Sequence, residues 1–531
     1  MIIISILIII MAIALPFRTE ISPILISRIT TISLFISGAL SLNALYIQSI
    51  GSGINIYSGL FHVSIITQLF DTFILIIGGL ILTCRPIINY LNNNTQAQAA
   101  YITDTNLSEN EKILGIKYSL IILFSILGSL LLVSSSDLVS MYLSIELQSF
   151  GVYILTTLYR DSKNATSAAL KYFLLGGFSS SLILLGSAIA YTYTGLTNLE
   201  GIYSLSTVSI TDTINYGLTL GIIIIIVGYL FKIAAAPLHN WAPDVYDETP
   251  TIITIWLTIM PKISILIFIL NIYLGIFQST TATLIGVGST VFNGNILENL
   301  LLISSLLSLI IGSIVGLAQV KIKRLLAYST ISHVGFILLA LAISTEQSIE
   351  SFIFYIIQYS LTNLNTFFII IAFGYLFKNT QLLTYNLEKK DINYISELRG
   401  LFTHNPILSI SLAICLFSMA GIPPLLGFFS KQMVLYSAIQ NGYYFMALIA
   451  IIVSVISASY YLKVIRTLFT ENSTDTTSNN QTIFINNIEN NLTSVHSFII
   501  STLTLIILSY ILKPSILLNS TQLLSLSIFN C

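Results

Sequence analysis

Charge is what this sequence has least of. Only 8% of its 531 residues are Asp, Glu, Lys or Arg, against about 25% in soluble domains. Hydrophobic residues make up 55%, and long apolar runs recur from end to end, so the solvent for this chain is lipid. Cysteine is also scarce. Cys84, Cys415 and Cys531 stand far apart with no C-x-x-C pair, which leaves no zinc-ribbon or iron–sulfur ligand set. No glycine-rich dinucleotide fingerprint and no P-loop occurs, so no nucleotide site is written. No flavin, haem, iron or other cofactor is expected in this chain, and no nucleic-acid partner. Ala and Arg are sparse, whereas Ile, Leu, Phe, Tyr, Asn, Ser and Thr dominate. Several of these have AT-rich codons, a bias of organellar genomes and of AT-rich bacteria.

The apolar runs predict an all-α, polytopic membrane protein of about fourteen spans, at 2–17, 24–48, 66–90, 113–134, 137–159, 165–193, 214–236, 250–275, 296–317, 322–344, 350–377, 404–433, 442–468 and 494–512. The first run lacks the basic n-region of a signal peptide and reads as a short helix. The loops test the count. Basic residues lie in or beside the loops that follow odd-numbered spans: Arg18, Arg85, Arg160, Lys321, Lys389 and Lys463 are examples, and they total 16 of 21. Loops after even spans hold none until Lys513, at the end of the last helix. By the positive-inside rule the odd loops face the matrix or cytoplasm and both termini the opposite side. The longest loops, 91–112 and 471–493, are Asn/Thr/Ser-rich links rather than domains.

Among the ionisable residues inside apolar runs, Glu146 in span 5, Lys232 in span 7, Lys262 in span 8 and Lys431 in span 12 stand out. A charge at the bilayer centre costs about 3 kcal/mol on insertion scales, so such residues persist where they face a polar interior. Snorkelling side chains or inert buried ion pairs are the alternative, and for Lys171, near its helix start, snorkelling competes on equal terms. A desolvated lysine gives up its proton more readily, and a neighbouring carboxylate reverses the effect. Such residues can carry protons with no cofactor. His333 belongs either to that pathway or to packing, as does His239. The acidic cluster Asp244, Asp247 and Glu248 reads as solvated charge at a membrane edge rather than as a metal site.

Prolines supply a second signal. Span 7 ends in Lys232-Ile-Ala-Ala-Ala-Pro237-Leu-His239-Asn-Trp241-Ala-Pro243-Asp244, and span 12 carries Ala420-Gly421-Ile422-Pro423-Pro424-Leu425-Leu426-Gly427-Phe428-Phe429-Ser430-Lys431. Proline removes an amide donor and frees carbonyls that lipid cannot satisfy, so each break is expected to line a hydrated cavity. Two faintly similar breaks point to an inverted repeat with its pathway at mid-membrane; two unrelated kinks are the alternative.

The phrases Glu146-Leu-Gln-Ser, Lys171-Tyr-Phe-Leu-Leu-Gly-Gly-Phe-Ser-Ser, Ala236-Pro-Leu-His-Asn-Trp-Ala-Pro-Asp-Val-Tyr, Met260-Pro-Lys262-Ile-Ser-Ile, Lys323-Arg-Leu-Leu-Ala-Tyr-Ser-Thr-Ile-Ser-His333-Val-Gly and Ala420-Gly-Ile-Pro-Pro-Leu-Leu-Gly-Phe-Phe-Ser-Lys431 occur in this order. Across residues 115–470 the chain resembles the subunit 2 family of mitochondrial NADH dehydrogenase, the antiporter-like membrane subunits of respiratory complex I. The one departure, Glu248-Thr-Pro-Thr251, lies in a link. The resemblance implies fourteen helices with two inverted five-helix repeats and broken helices 7 and 12. The segments would be an N-terminal three-helix unit (1–112), a first half (113–275), a second half (296–468) and a C-terminal helix and tail (494–531). It implies Glu146 and Lys232 as the charge pair of one half-channel, Lys262 as the central link and Lys431 in the other half-channel, with Lys171 as an additional helix-6 lysine. It implies a proton-translocating NADH:ubiquinone reductase whose NADH, FMN, iron–sulfur and ubiquinone sites lie in other subunits. Membrane-arm subunits and lipid would be its partners in the mitochondrial inner membrane. A subunit of a multisubunit cation/proton antiporter shares this architecture and is the competing reading. A structural scaffold explains the helices but not the charges at depth.

Overall fold

In lipid every backbone amide and carbonyl must be paired within the chain, and a helix does this within one segment. The computed structural model is accordingly helical. It describes residues 1–14, 23–47, 53–83, 109–159, 162–208, 212–283, 294–380, 391–470 and 494–529. Arg18, Cys84, Arg85, Arg160, Lys389, Lys390 and Cys531 lie outside the described residues.

The helices are α1 (Ile2–Ala14), α2 (Pro23–Ile47), α3 (Ile65–Thr83), α4 (Glu109–Ser134), α5 (Leu138–Thr157), α6 (Lys163–Thr194), α7 (Leu199–Val208), α8 (Asp212–Lys232), α9 (Trp241–Glu248), α10 (Thr251–Thr283) and α11 (Gly294–Leu317). They continue with α12 (Ile322–Ile343), α13 (Glu346–Thr380), α14 (Leu401–His404), α15 (Pro406–Ala420), α16 (Leu426–Gln440), α17 (Tyr444–Phe469), α18 (Ser494–Ser509) and α19 (Ser515–Phe529). A short hairpin, β1 (Ile54–Ile56) and β2 (Phe61–Val63), precedes α3.

Eleven helices among the described residues are long and apolar enough to cross a membrane. Each falls on an expected span. The other three expected spans are short or interrupted: α1 has 13 residues, span 7 is α8, which stops at Lys232 and is followed by the separate α9, and span 12 divides into α15 and α16. That division carries the helix to Gln440, seven residues beyond the expected end. The hairpin, α7, α14 and α19 were not expected.

Hydroxyls sit within these apolar helices because their own backbone absorbs them. On α4, Ser119, Ser125 and Ser129 donate to the carbonyls of Ile116, Ile122 and Ile126 at 2.9, 2.8 and 2.6 Å. Small residues let backbones meet: a Cβ on Gly186 of α6 would stand 2.7 Å from the carbonyl oxygen of Gly221 on α8. The centre of the molecule is α10 and α12, whose apolar stretches are 94% buried within the protein, against 33% for α6. Outward-facing side chains such as Leu143, Phe150, Leu448 and Val455 are apolar and exposed, as a lipid-facing surface requires.

The loops segregate to two ends. At one end Phe61 bridges to Ser135 and Asp137 to Asn198, and Asn441 reaches Thr345 at 3.3 Å; all belong to loops after even spans. At the other end Lys321 bridges to Tyr394 and contacts Asp247, from loops after odd spans.

Candidate functional site

The first break places two charges together. Lys232 is the last residue of α8, and its Nζ lies 3.3 Å from Glu146 Oε1 on α5, with both side chains largely buried. Ser149, one turn along α5, hydrogen-bonds the other carboxylate oxygen at 3.4 Å. Beyond Lys232 the chain leaves the helix, crosses Pro237 and resumes as α9. The break was expected to line a hydrated cavity. The Phe231 carbonyl at its start accepts from the Ala234 amide at 3.1 Å and from the Trp241 indole N–H at 2.9 Å, so protein donors from within and just past the break meet it.

Lys262 lies on α10 with 2% exposure. Its Nζ is 3.5 Å from the Tyr359 hydroxyl of α13 and 5.8 Å from the ring centroids of both Tyr246 and Tyr359. Aromatic faces therefore take the place of a carboxylate beside this ammonium. Pro261 cannot donate to Leu257, one turn back. The neighbouring Thr258 carbonyl accepts from the Tyr359 hydroxyl at 3.1 Å. Nearby, Gln148 of α5 and Ser264 of α10 bond in both directions, at 2.9 and 3.2 Å.

His333 continues the line into α12. Its Nδ1 is 2.8 Å from the Tyr355 hydroxyl and its Nε2 3.3 Å from that of Tyr461, while its ring centroid is 5.9 Å from that of Tyr359. Tyr355 stacks on Phe336 at 5.8 Å, and Lys431 Nζ lies 5.6 Å from the Phe336 ring centroid. Lys431, on α16, folds back over the second break and donates to the carbonyls of Met419 and Ala420, both at 2.9 Å. Gly421 supports this approach with φ +86°, and a Cβ there would press on the Lys431 side chain at 3.0 Å.

Lys171 stands apart from the buried line. It is half exposed and pairs with Asp244 at 3.3 Å. The acidic cluster is not simply solvated, because its carboxylates meet basic side chains of the following half. Asp244 Oδ1 is 2.5 Å from Arg324 Nη2, and Asp247 Oδ2 is 2.7 Å from Lys321 Nζ and 3.4 Å from Arg324 Nε. Glu248 accepts from Ser167 at 2.8 Å. Asp391 accepts from Lys323 at 2.8 Å and from the Thr251 amide at 2.9 Å, capping the start of α10. His239 keeps a local role: its Nδ1 is 3.2 Å from the Pro237 carbonyl.

Residues 135–457 match the family described as NADH:quinone oxidoreductase/Mrp antiporter, transmembrane, and this stretch holds all six candidate residues. The chain belongs to this antiporter-type family. Within it, NADH-ubiquinone oxidoreductase chain 2 of Rhizopus oryzae is 50% identical over 100% of both chains. A chain of respiratory complex I from Thermus thermophilus is 23% identical, with a TM-score of 0.70 over 98% of this chain and 99% of that one. A chain of the Mrp complex from Dietzia is 17% identical, with a TM-score of 0.75 over 99% and 96%. The two solved structures show that the fold is shared.

Mapped onto the family fold, the structure joins Glu146 to Lys232 and brings Lys262, His333 and Lys431 into one aromatic-lined interior, leaving Lys171 at its edge. Sequence reasoning missed the hydroxyls between them. A signal existed: Tyr355, Gln358, Tyr359, Thr362, Asn363 and Thr366 recur at helical spacing along α13, a polar stripe in an otherwise apolar span.

Proposed function

We propose that this chain is an antiporter-like core membrane subunit of NADH:ubiquinone oxidoreductase that carries protons across the inner membrane. The buried Glu146–Lys232 pair, the group formed by Lys262, Tyr359 and His333, and the buried Lys431 carry this reading. Each member can hold or relay a proton, and none needs a bound cofactor. The free energy comes from NADH oxidation and quinone reduction in other subunits, which hold the FMN, iron–sulfur clusters and ubiquinone.

In this reading the two halves, 113–275 and 296–468, are inverted repeats, flanked by segments 1–112 and 494–531. Corresponding helices keep corresponding neighbours: α4 packs on α5 and α10, and α11 on α12 and α17. A unit of five crossings enters the membrane from the opposite side when it is repeated. The Lys321 end faces the matrix, both termini face the intermembrane space, and an organellar genome encodes the chain. Lipid and neighbouring membrane-arm subunits cover its apolar flanks.

The multisubunit cation/proton antiporter shares the fold, so shape does not separate the readings; identity does, and the full-length 50% relative is a complex I chain. Purification of the tagged chain from mitochondrial membranes tests the assignment. It should bring down NADH-oxidising activity in a large complex. Recovery in a cation/proton antiporter assembly without that activity would replace this reading with the other.

A further inference from the structure

α9 is a helix of eight residues, set between the break at 233–240 and the corner at Pro250. No continuous helix fixes its rotation about its own axis. Asp244 and Asp247 are three positions apart and so lie about 60° apart on one face, while Tyr246 points roughly 130° away from their midpoint. That tyrosine is 1% exposed, and its ring faces Lys262 Nζ at 5.8 Å. From the first turn of α12, Arg324 hydrogen-bonds Asp244 through Nη2 at 2.5 Å and stands in ion-pair range of Asp247, its Nε 3.4 Å from Oδ2 without a hydrogen bond.

We propose that Arg324 is a positioning residue whose guanidinium locks the rotation of α9 and so holds Tyr246 over Lys262. The planar guanidinium suits the task, because a hydrogen bond to one carboxylate and an ion-pair contact to the other, made by one rigid group, define an angle, whereas an ammonium is a single point. Lys171 adds a contact to Asp244 and Lys321 one to Asp247. Because α12 also carries His333, one helix orients the ring over Lys262 and supplies the next group along the line. A basic residue expected from its loop to orient the chain in the membrane thus acquires a second role. The inference rests on the reading that Lys262 carries protons.

The test compares Arg324→Lys, Tyr246→Leu, their combination and Lys262→Ala in the assembled complex, in sealed inner-membrane vesicles. NADH:quinone turnover and proton translocation are measured per complex. Arg324→Lys keeps the charge that sets topology, so assembly should persist. Turnover should fall roughly thirtyfold, the order expected for losing one desolvated cation–π contact, with the KM for quinone unchanged. Tyr246→Leu should behave alike, and the double variant should be no worse than the poorer single, because both act through one ring. Wild-type turnover in Arg324→Lys, or a double variant that falls to the product of the singles, overturns the clamp. If Lys262→Ala is impaired in that case, only the clamp has failed; if Lys262→Ala is also normal, the proton-carrying reading has failed with it. Should Arg324→Lys not assemble, Asp247→Asn, which removes one arm's partner, is read by the same criteria.

Discussion

Lys431 Nζ donates to the carbonyl of Ala420 at 2.9 Å, across the break that separates α15 from α16. The side chain proposed to carry a proton therefore also closes the carbonyl end of the preceding helix. Cations favour this place, where unpaired carbonyls and the helix dipole converge. The two roles make different demands. A cap needs only a cation with donors; a carrier must also release its proton.

Lys431→Arg separates them. Guanidinium can cap the same carbonyls but effectively never deprotonates. The arginine variant is expected to assemble normally and to lose most proton translocation, while Lys431→Met should lose both. Complex content on native gels and proton uptake by sealed vesicles provide the check; full pumping by the arginine variant would reduce Lys431 to a cap.

Among the described residues Lys262 meets no carboxylate and caps no carbonyl, so its substitution should be structurally mild. Lys262→Ala leaves a small cavity among Tyr246, Tyr359 and their neighbours and should spare assembly while impairing pumping. Lys262→Arg should also be poor. Because pumping and redox chemistry are coupled, NADH:quinone turnover is expected to fall with it. Pumping at the wild-type rate by both variants would make Lys262 a packing residue.

Trp241→Phe keeps an aromatic ring but removes the N–H bonded to Phe231. That carbonyl keeps the Ala234 amide, 3.1 Å away, so the change removes one of its two hydrogen bonds, about 1 kcal/mol. The assembled complex should inactivate at a slightly lower temperature, and the Glu146–Lys232 pair, one residue from that carbonyl, should be the part disturbed. An unchanged thermal inactivation profile would show that the Ala234 amide alone suffices.

Cysteines replacing the exposed Glu397 and Asn441, in a chain without Cys84, Cys415 and Cys531, should label from opposite sides of the membrane. The first sits at the Lys321 end, expected in the matrix, and the second at the other end. Labelling of both from one side is incompatible with the arrangement of α15, α16 and α17.

How much of this was legible beforehand follows from what each signal depends on. Spans were legible because lipid demands long apolar stretches, and the alternation of basic loops fixed their parity. Glu146, Lys232, Lys262 and Lys431 were legible because a charge in an apolar run is costly and so conspicuous. α7 and α19 were not, since neither is long enough to announce a crossing. The partners of the acidic residues were invisible for another reason. Arg324 is 80 residues from Asp244, and only the packing of α9 on α12 brings them together. Tyr355, Tyr359 and Tyr461 escaped because tyrosine is common in this chain and a hydroxyl in an apolar run is cheap to bury once bonded.

The contacts of His333 also have a chronology. Its second hydroxyl partner, Tyr461, lies 128 residues further along the chain. A ribosome feeding helices into the bilayer in order delivers α12 first, then α13 with Tyr355, and α17 only after both halves of the second broken span. Until then the imidazole has at most one of its two tyrosines. The interior is therefore finished late in synthesis, and a chain stalled before residue 461 would hold an incomplete polar centre inside lipid. Such a polypeptide is a natural substrate for membrane quality control.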